Sequence, residues 1–373
     1  MTLPEGGEPL PPLYARWMAD LLGGIIPRES RASCDNCAMC ATAGAGRESA
    51  PRGVFFDPAV KCCTYVPDLP NFLVGGILSD TDAAAEFGRR TVEKRIADAI
   101  GVTPFGLTKS PVHALLYRNS SDAFGRTRAF RCPHYIEDGG RCGVWRHRNS
   151  VCTTWFCKHV RGQVGYTFWH SSMLQLLGQV EGELTHWCVL ELQLGDDALR
   201  HLMANGPEGR AGDITGDALD NKVDPEIYAQ IWGAWRGREH EFFARCAELV
   251  RPLSWADVLA ICGAEARVHA RLTQESYRRL TSDDIPPVLE VGPMQLAHMR
   301  RGTMRISTYS GYDPLDVPNQ VMELLPYFDG RPTADVLAAV AEERGIRLEP
   351  DLVRKLVDFV LLVPAKTPTI PSA

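Results

Sequence analysis

Apolar and polar positions follow helical spacing through most of the second half of this chain, whereas the first half lacks that regularity. Residues 1 to about 165 are rich in cysteine, glycine and proline and read as irregular loops, interrupted by one amphipathic helix over roughly Thr81 to Ile100. From Phe168 to Leu194 the pattern predicts a long buried helix whose stripe is Met173, Leu177, Val180, Leu184 and Trp187. The glycine- and aspartate-rich segment Asn205 to Pro225 reads as a loop, and helices are expected over about Glu226 to Val250 and Trp255 to Leu280. Beyond Pro286 and Pro287, short alternating segments at Val288 to Val291 and Thr303 to Thr308 predict strands. Three helices follow, Pro318 to Phe328, Thr333 to Arg344 and Pro350 to Leu362. Asp329 and Gly330 stop the first, Thr333 caps the second, Gly345 ends it, and Pro350 suits a first turn. No internal repeat is visible.

Composition adds a boundary on class. With 373 residues, 45% hydrophobic content and 23% charge, the chain can build more than one packed domain without disulfides. The N-terminus, Met1 to Pro12, carries no basic run, and Leu21 to Ile26 is too short for a secretory core, so a cytoplasmic protein is expected. No apolar stretch reaches the length of a membrane span. A net charge of -6 argues against nucleic acid as the main partner, which would require a basic surface.

The cysteines change the picture most. Twelve over 373 residues would place about one in any thirty-residue window, yet Cys34, Cys37, Cys40, Cys62 and Cys63 form one burst and Cys132, Cys142, Cys152 and Cys157 another. In a reducing compartment such clustering points to metal rather than disulfides. Cys34, Cys37 and Cys40 share the spacing of the first three ligands of a bacterial ferredoxin-type cluster, without the fourth cysteine and proline. Zinc uses pairs of such cysteines equally well, so an iron-sulfur cluster and zinc both stay open, the former favoured. Nine thiols, with His134 and His159 nearby, exceed one mononuclear site and predict two centres. The basic residues around the second burst, Arg141, Arg146, His147, Arg148, Lys158 and Arg161, read as compensation for thiolate charge. Cys188, Cys246 and Cys262, each isolated on a predicted helix, are expected in the core. The fold class is therefore α+β: a loop-rich, metal-organised N-terminal domain (1–165), a helical middle layer (166–285), a small C-terminal domain (286–363) and a disordered tail (364–373).

Two resemblances refine this. The run Cys34-x-x-Cys37-x-x-Cys40, the pair Cys62-Cys63, then Cys132 and Cys142-Gly143-Val144-Trp145-x-x-Arg148-x-x-x-Cys152-x-x-Trp155-x-Cys157 resemble the YkgJ family of cysteine-cluster proteins, described as zinc- or iron-chelating. The likeness covers about residues 30 to 160; this chain splits the first block by 21 residues and carries Asn149 and Thr153 where the family has proline and arginine. Flagellin lysine methylases share that motif and are thought to carry an iron-sulfur cluster, so the resemblance is compatible with an enzyme. Two strands and three short helices over residues 286 to 363 read as a winged helix. The run Pro318 to Pro364, with Asp329-Gly330-Arg331-Pro332-Thr333 between two helices, resembles PqqD-like domains, which implies a module that binds an extended peptide along a sheet edge. Helix Thr333 to Arg344 is acidic, which disfavours DNA.

Weaker signals carry less. Glu183 and His186 make an ExxH pair without the second pair a di-iron bundle needs, so a helix-packing histidine is expected. Asp213, Thr215, Asp217, Asn221 and Asp224 echo a calcium loop, but Ala218 stands where glycine is required, and a solvated acidic linker is the better reading. His170 beside Ser171 and Ser172 is no triad, and no phosphate loop, dinucleotide fingerprint or GxSxG elbow is present. The expected function is a metal-dependent modification, performed or supported by the thiolate cluster, of a peptide or protein delivered by the C-terminal domain. The competing expectation is a non-enzymatic structural-zinc protein that binds partners.

Overall fold

The computed structural model describes residues 9–34, 37–40, 56–204, 216 and 220–365, and they form a mixed α+β protein. Much of the expected loop 205–225 and of the 364–373 tail lies outside the described residues, as do Asp213, Thr215 and Asp217 of the calcium-like run. Asp224 of that run serves as a helix cap, accepting from the N–H groups of Glu226 and Ile227 at 2.8 and 3.2 Å. The chain divides into two compact units, each assembled from separate stretches: Met1–Pro27, Ser33–Trp155 and Ser172–Gln274 in one, and Arg28–Ala32, Phe156–Ser171 and Glu275–Ala373 in the other. This division does not follow the sequence order of the three expected segments. No helix among the described residues is long and apolar enough to cross a membrane.

In the first unit, the helix Leu174–Glu191 buries Leu177, Val180 and Leu184 as its spacing predicts, but Cys188, not the half-buried Trp187, completes the stripe. The helix Asn71–Ser79 packs against Glu239–Val250, where Phe242 and Phe243 are fully buried. Burial of each ring stabilises the layer by roughly 2–3 kcal/mol. Cys188 and Cys246 are fully buried and Cys262 nearly so, as expected of small core residues. Two expected helices are broken by glycine. The first stops at Trp232, where Gly233 takes φ 50°, and resumes at Glu239; the second, Trp255–Thr281, is interrupted where Gly263 takes φ 75° and ψ -150°. Apolar periodicity continues across both breaks because one misplaced turn does not disturb it, which is why the pattern hid them. The expected helix over Thr81–Ile100 is a 3₁₀ turn, Ala83–Ala85, followed by the helix Glu86–Ala97.

The second unit holds two antiparallel sheets. Val288–Val291 lies between Asp329–Pro332 and Leu362–Pro364, and Thr303–Ser307 between Gln295–Arg300 and Leu315–Pro318. Leu289, Ile306, Phe328, Val336, Val340, Val353 and Phe359 form its core. Two of these strands were legible in sequence; the other four were not, since Gln295–Arg300 and Asp329–Pro332 offer no buried alternation. The expected helix Pro318–Phe328 shortens to Asn319–Met322 and a 3₁₀ turn at Leu325–Tyr327, because Pro326 has no N–H to continue it. Thr333 is the first residue of its helix rather than the cap, and its hydroxyl donates to the Pro286 carbonyl at 2.9 Å. Gly345 ends that helix in the left-handed region, and Pro350 opens the last one, which stops at Asp358 because Leu362 enters a strand.

Candidate metal centre

The two cysteine bursts meet in the first unit. The backbone N–H of Cys132 donates to the carbonyl of Cys63 at 2.8 Å, joining the bursts directly. Lys61 adds a second stitch: its ammonium donates to the carbonyls of Cys34, at 2.7 Å, and Gly140, at 3.0 Å, two residues before Cys142. A short hairpin pairs Tyr135–Ile136 with Arg141–Cys142, and Asn149 caps the turn Ser150–Thr154 by accepting from the Cys152 N–H at 3.0 Å. Loop chemistry of this kind fixes sulfur positions through backbone hydrogen bonds, since no apolar stripe is present to do so.

The thiols feel one another. Cys34 is pushed up to about 11, chiefly by burial and then by Cys62, and Cys40 to about 12, by burial and then by Cys37. Cys62 is raised by its contact with Cys63 and by burial, with Cys37 adding to both. Burial also raises Cys132, then Cys142 and Cys152; it raises Cys142, on which Cys34 and Cys62 act too, and Cys152, on which Cys142 and Cys62 act. Eight thiols, Cys34, Cys37, Cys40, Cys62, Cys63, Cys132, Cys142 and Cys152, therefore lie within one another's field, five from the first burst and three from the second. Cys157 belongs to the second unit. All twelve cysteines are free thiols. Among the described residues, no three His, Cys, Asp or Glu side chains stand in an arrangement that would hold a metal ion as they are. Instead the sulfurs approach as thiol pairs, Cys62 with Cys63 and Cys37 with Cys40.

Of the cations expected to offset thiolate charge, Arg148 does so, favouring the ionised forms of Cys34, Cys142 and Cys152. Its guanidinium stacks 3.4 Å from the Trp145 ring centroid and donates to the Trp145 and Pro9 carbonyls, which explains the Trp-x-x-Arg spacing. Arg146 is engaged by Asp80 and Asp82, His147 by Asp80, and in the second unit Lys158 and Arg161 are engaged by Asp313 and Asp358. The remaining compensation comes from two residues the sequence reading passed over: Lys61 acts on Cys34 and Cys40, and Arg95 on Cys132. Lys61 could have been suspected from its place beside Cys62. Arg95 reads as a solvent-facing position of an amphipathic helix.

His134 and His159, which lie near the thiols in sequence, are both buried, each with 1% exposure. The Thr91 hydroxyl donates to the Gly88 carbonyl at 2.7 Å and lies 2.7 Å from His134 Nδ1. Its single proton being used, His134 donates from Nδ1 and keeps a bare lone pair on Nε2, a buried atom with no partner. Burial, then Arg95, pushes His134 down to about 3, so the ring is neutral and its Nε2 is chemically fit to ligate. His159 lies in the second unit. His186 is exposed and meets the edge of Phe105 instead of packing in a core. Glu183 accepts from Gln179.

One further group was missed. Glu181 interrupts the apolar stripe of Leu174–Glu191 and is buried; it accepts from the Ser150 N–H at 2.5 Å, the Ser150 hydroxyl at 2.6 Å and the Tyr14 hydroxyl. Burial pushes it up to about 7 against the donors that favour its charge, and its field reaches Cys152. A glutamate at the centre of a buried stripe was the available signal. No family model, no curated protein and no solved structure matches this chain.

Proposed function

We propose that the converging thiols of the first unit hold a metal centre, with an iron-sulfur cluster favoured over zinc, and that the protein modifies, or supports modification of, a peptide or protein bound by the second unit. The observation that carries this reading is the convergence of eight thiols from two bursts separated by some seventy residues of chain, stitched at Cys63–Cys132 and through Lys61. Soft sulfur donors suit iron-sulfur clusters and zinc, and a cation among them favours the ionised thiolates that burial otherwise disfavours. Ligands are drawn from those eight, with His134 Nε2 a further donor. The YkgJ-like spacing agrees with this assignment.

Support for peptide binding comes from the strand Gln295–Arg300. It pairs only with Thr303–Ser307 among the described strands, and its residues Gln295 to Met299 are exposed, with Leu296 at 57% and Met299 at 61%. A free edge with apolar side chains is suited to strand addition, the mode the PqqD-like resemblance implies.

Anaerobic purification with elemental analysis and visible spectra tests the centre. Brown protein with iron and acid-labile sulfide, bleached by air, is the expected result. Colourless protein with stoichiometric zinc supports the structural-zinc reading, and folded, metal-free protein would overturn both.

A further inference from the structure

Beside the thiols, the two-strand hairpin and the turn around Lys61 border an open pocket of about 470 Å³, lined by Lys61, Arg128, Arg131, Tyr135, Glu137 and Gly140 among others. That volume suits a small molecule or one side chain. Three cations face one carboxylate, and Arg131 already engages Glu137. Arg128 is largely exposed and holds Asp57 only at 3.6 Å. Lys61 is half-buried, donates to two neutral carbonyls, and has no carboxylate partner among the described residues. Its field falls on Cys34 and Cys40, whose burial disfavours their charged forms, and a half-buried ammonium with one donor to spare and no carboxylate beside it attracts an anion.

The backbone keeps the polar ends open toward this space. Lys61 takes φ 52°, a left-handed conformation uncommon for a residue with a side chain, and its N–H is tied to the Asp57 carbonyl at 2.8 Å. Gly140 takes φ 61°, and a Cβ there would lie 2.7 Å from Lys61 Nζ and 2.9 Å from the Tyr135 hydroxyl. Any other residue would crowd both groups. Tyr135 links pocket and thiols, since it lines the cavity while its phenol lies in the field of Cys63, Cys40 and Cys62.

We propose that this pocket binds a small molecule bearing an oxyanion, carboxylate or phosphate, through Lys61, Arg128 and Arg131, and so holds a substrate or co-substrate beside the centre. The second half of that statement rests on the metal-centre reading; the anion site itself does not. Guanidinium forks and an ammonium together recognise both oxyanions, so the two are separated by experiment.

Titration calorimetry of the whole protein at low salt, with inorganic phosphate and separately with succinate, tests it. At least one should bind saturably with one site per chain, and which one does so identifies the class. Lys61→Met should weaken that binding about tenfold or more, as expected for a lost hydrogen bond to charge. Arg128→Gln, an exposed position that leaves the fold alone, should weaken it about three- to fivefold. Glu137→Gln frees Arg131 and should tighten it by a similar factor. Saturable binding by neither anion, or unchanged affinity in both Lys61→Met and Arg128→Gln, would overturn the site. Metal content of the same preparations separates the two ideas: metal retained without anion binding removes the pocket alone, and anion binding without metal removes the centre and leaves the anion site standing.

Discussion

The buried carboxylates of the second unit and the polar groups around the thiols of the first are met in opposite ways. In the second, Asp313 is completely buried and saturated: Arg31 donates to both its oxygens at 2.9 and 2.7 Å, the Tyr309 hydroxyl donates as well, and Lys158 lies 3.5 Å away. Asp358 is matched by Arg161 at 2.5 and 2.9 Å, and Glu29 accepts from the Val160 N–H and the Trp169 indole. Around the thiols of the first unit the rule is reversed. Burial first and neighbouring thiols second raise Cys34, Cys40, Cys132 and Cys152, and His134 Nε2 and Arg95 Nη1 are buried without partners. Unpartnered polar atoms cost about 1–3 kcal/mol each, so folds tolerate a concentration of them where something else completes the set. Saturated networks hold structure, and the unsaturated set around the thiols is the one the proposed centre would complete.

The largest effect that would break this contrast is a difference in what loss of the proposed metal would do. Cys62→Ser should strip metal and destabilise the first unit by up to about 10 kcal/mol, the scale of a thiolate site whose binding energy is folding energy. Asp313→Ala should leave metal content unchanged. It strands Arg31 and Lys158 and should cost about 3 kcal/mol, less than a fully buried pair because Arg31 keeps 35% exposure. Elemental analysis with thermal unfolding of both variants decides: equal metal in Cys62→Ser and wild type sinks the contrast.

The contrast also explains what was legible. Helix Leu174–Glu191, the helix Thr333–Arg344 with its glycine stop, and the core placement of Cys188, Cys246 and Cys262 follow from periodicity, because burial decides position there. The candidate ligands were legible by type and spacing. Their companions were not, because Lys61 and Arg95 act on sulfurs through the folding of loops brought together from residues seventy apart. Arg146, Lys158 and Arg161 lie closer in sequence to the second burst yet are claimed by carboxylates. Two units interleaved from separate stretches leave no composition boundary to read.

A middle-sized effect sharpens the comparison at Glu181. Its folded pKa of about 7 lies above the ordinary 4.5, so the neutral form contributes stability that is full below pH 4.5 and is lost as pH rises to 7. That 2.5-unit difference corresponds to about 3 kcal/mol. Glu181→Gln should remove this slope, and urea melts at pH 4.5, 6 and 7.5 would show the wild type losing, relative to the variant, most of that amount. Parallel profiles would mean that the Ser150 and Tyr14 donors keep the carboxylate charged throughout.

The smallest effect tests one of the second unit's buried unpartnered groups, of which Thr308 Oγ1 and Asn319 Oδ1 are others. His159 is buried among Phe156, Tyr166, His170 and Tyr309, with neither ring nitrogen hydrogen-bonded. Burial, then His170 and Arg31, pushes it down to about 3 from 6.5, so its contribution is present above pH 6.5 and is lost as pH falls through that window. If the cage is only packing, His159→Phe keeps the aromatic contacts, removes two unpartnered nitrogens and abolishes the proton linkage. Its stability advantage over wild type should then grow by about 2 kcal/mol between pH 6.5 and 5. A variant that is less stable than wild type at every pH would show that His159 has a polar partner of its own, and this site would then count among the saturated ones.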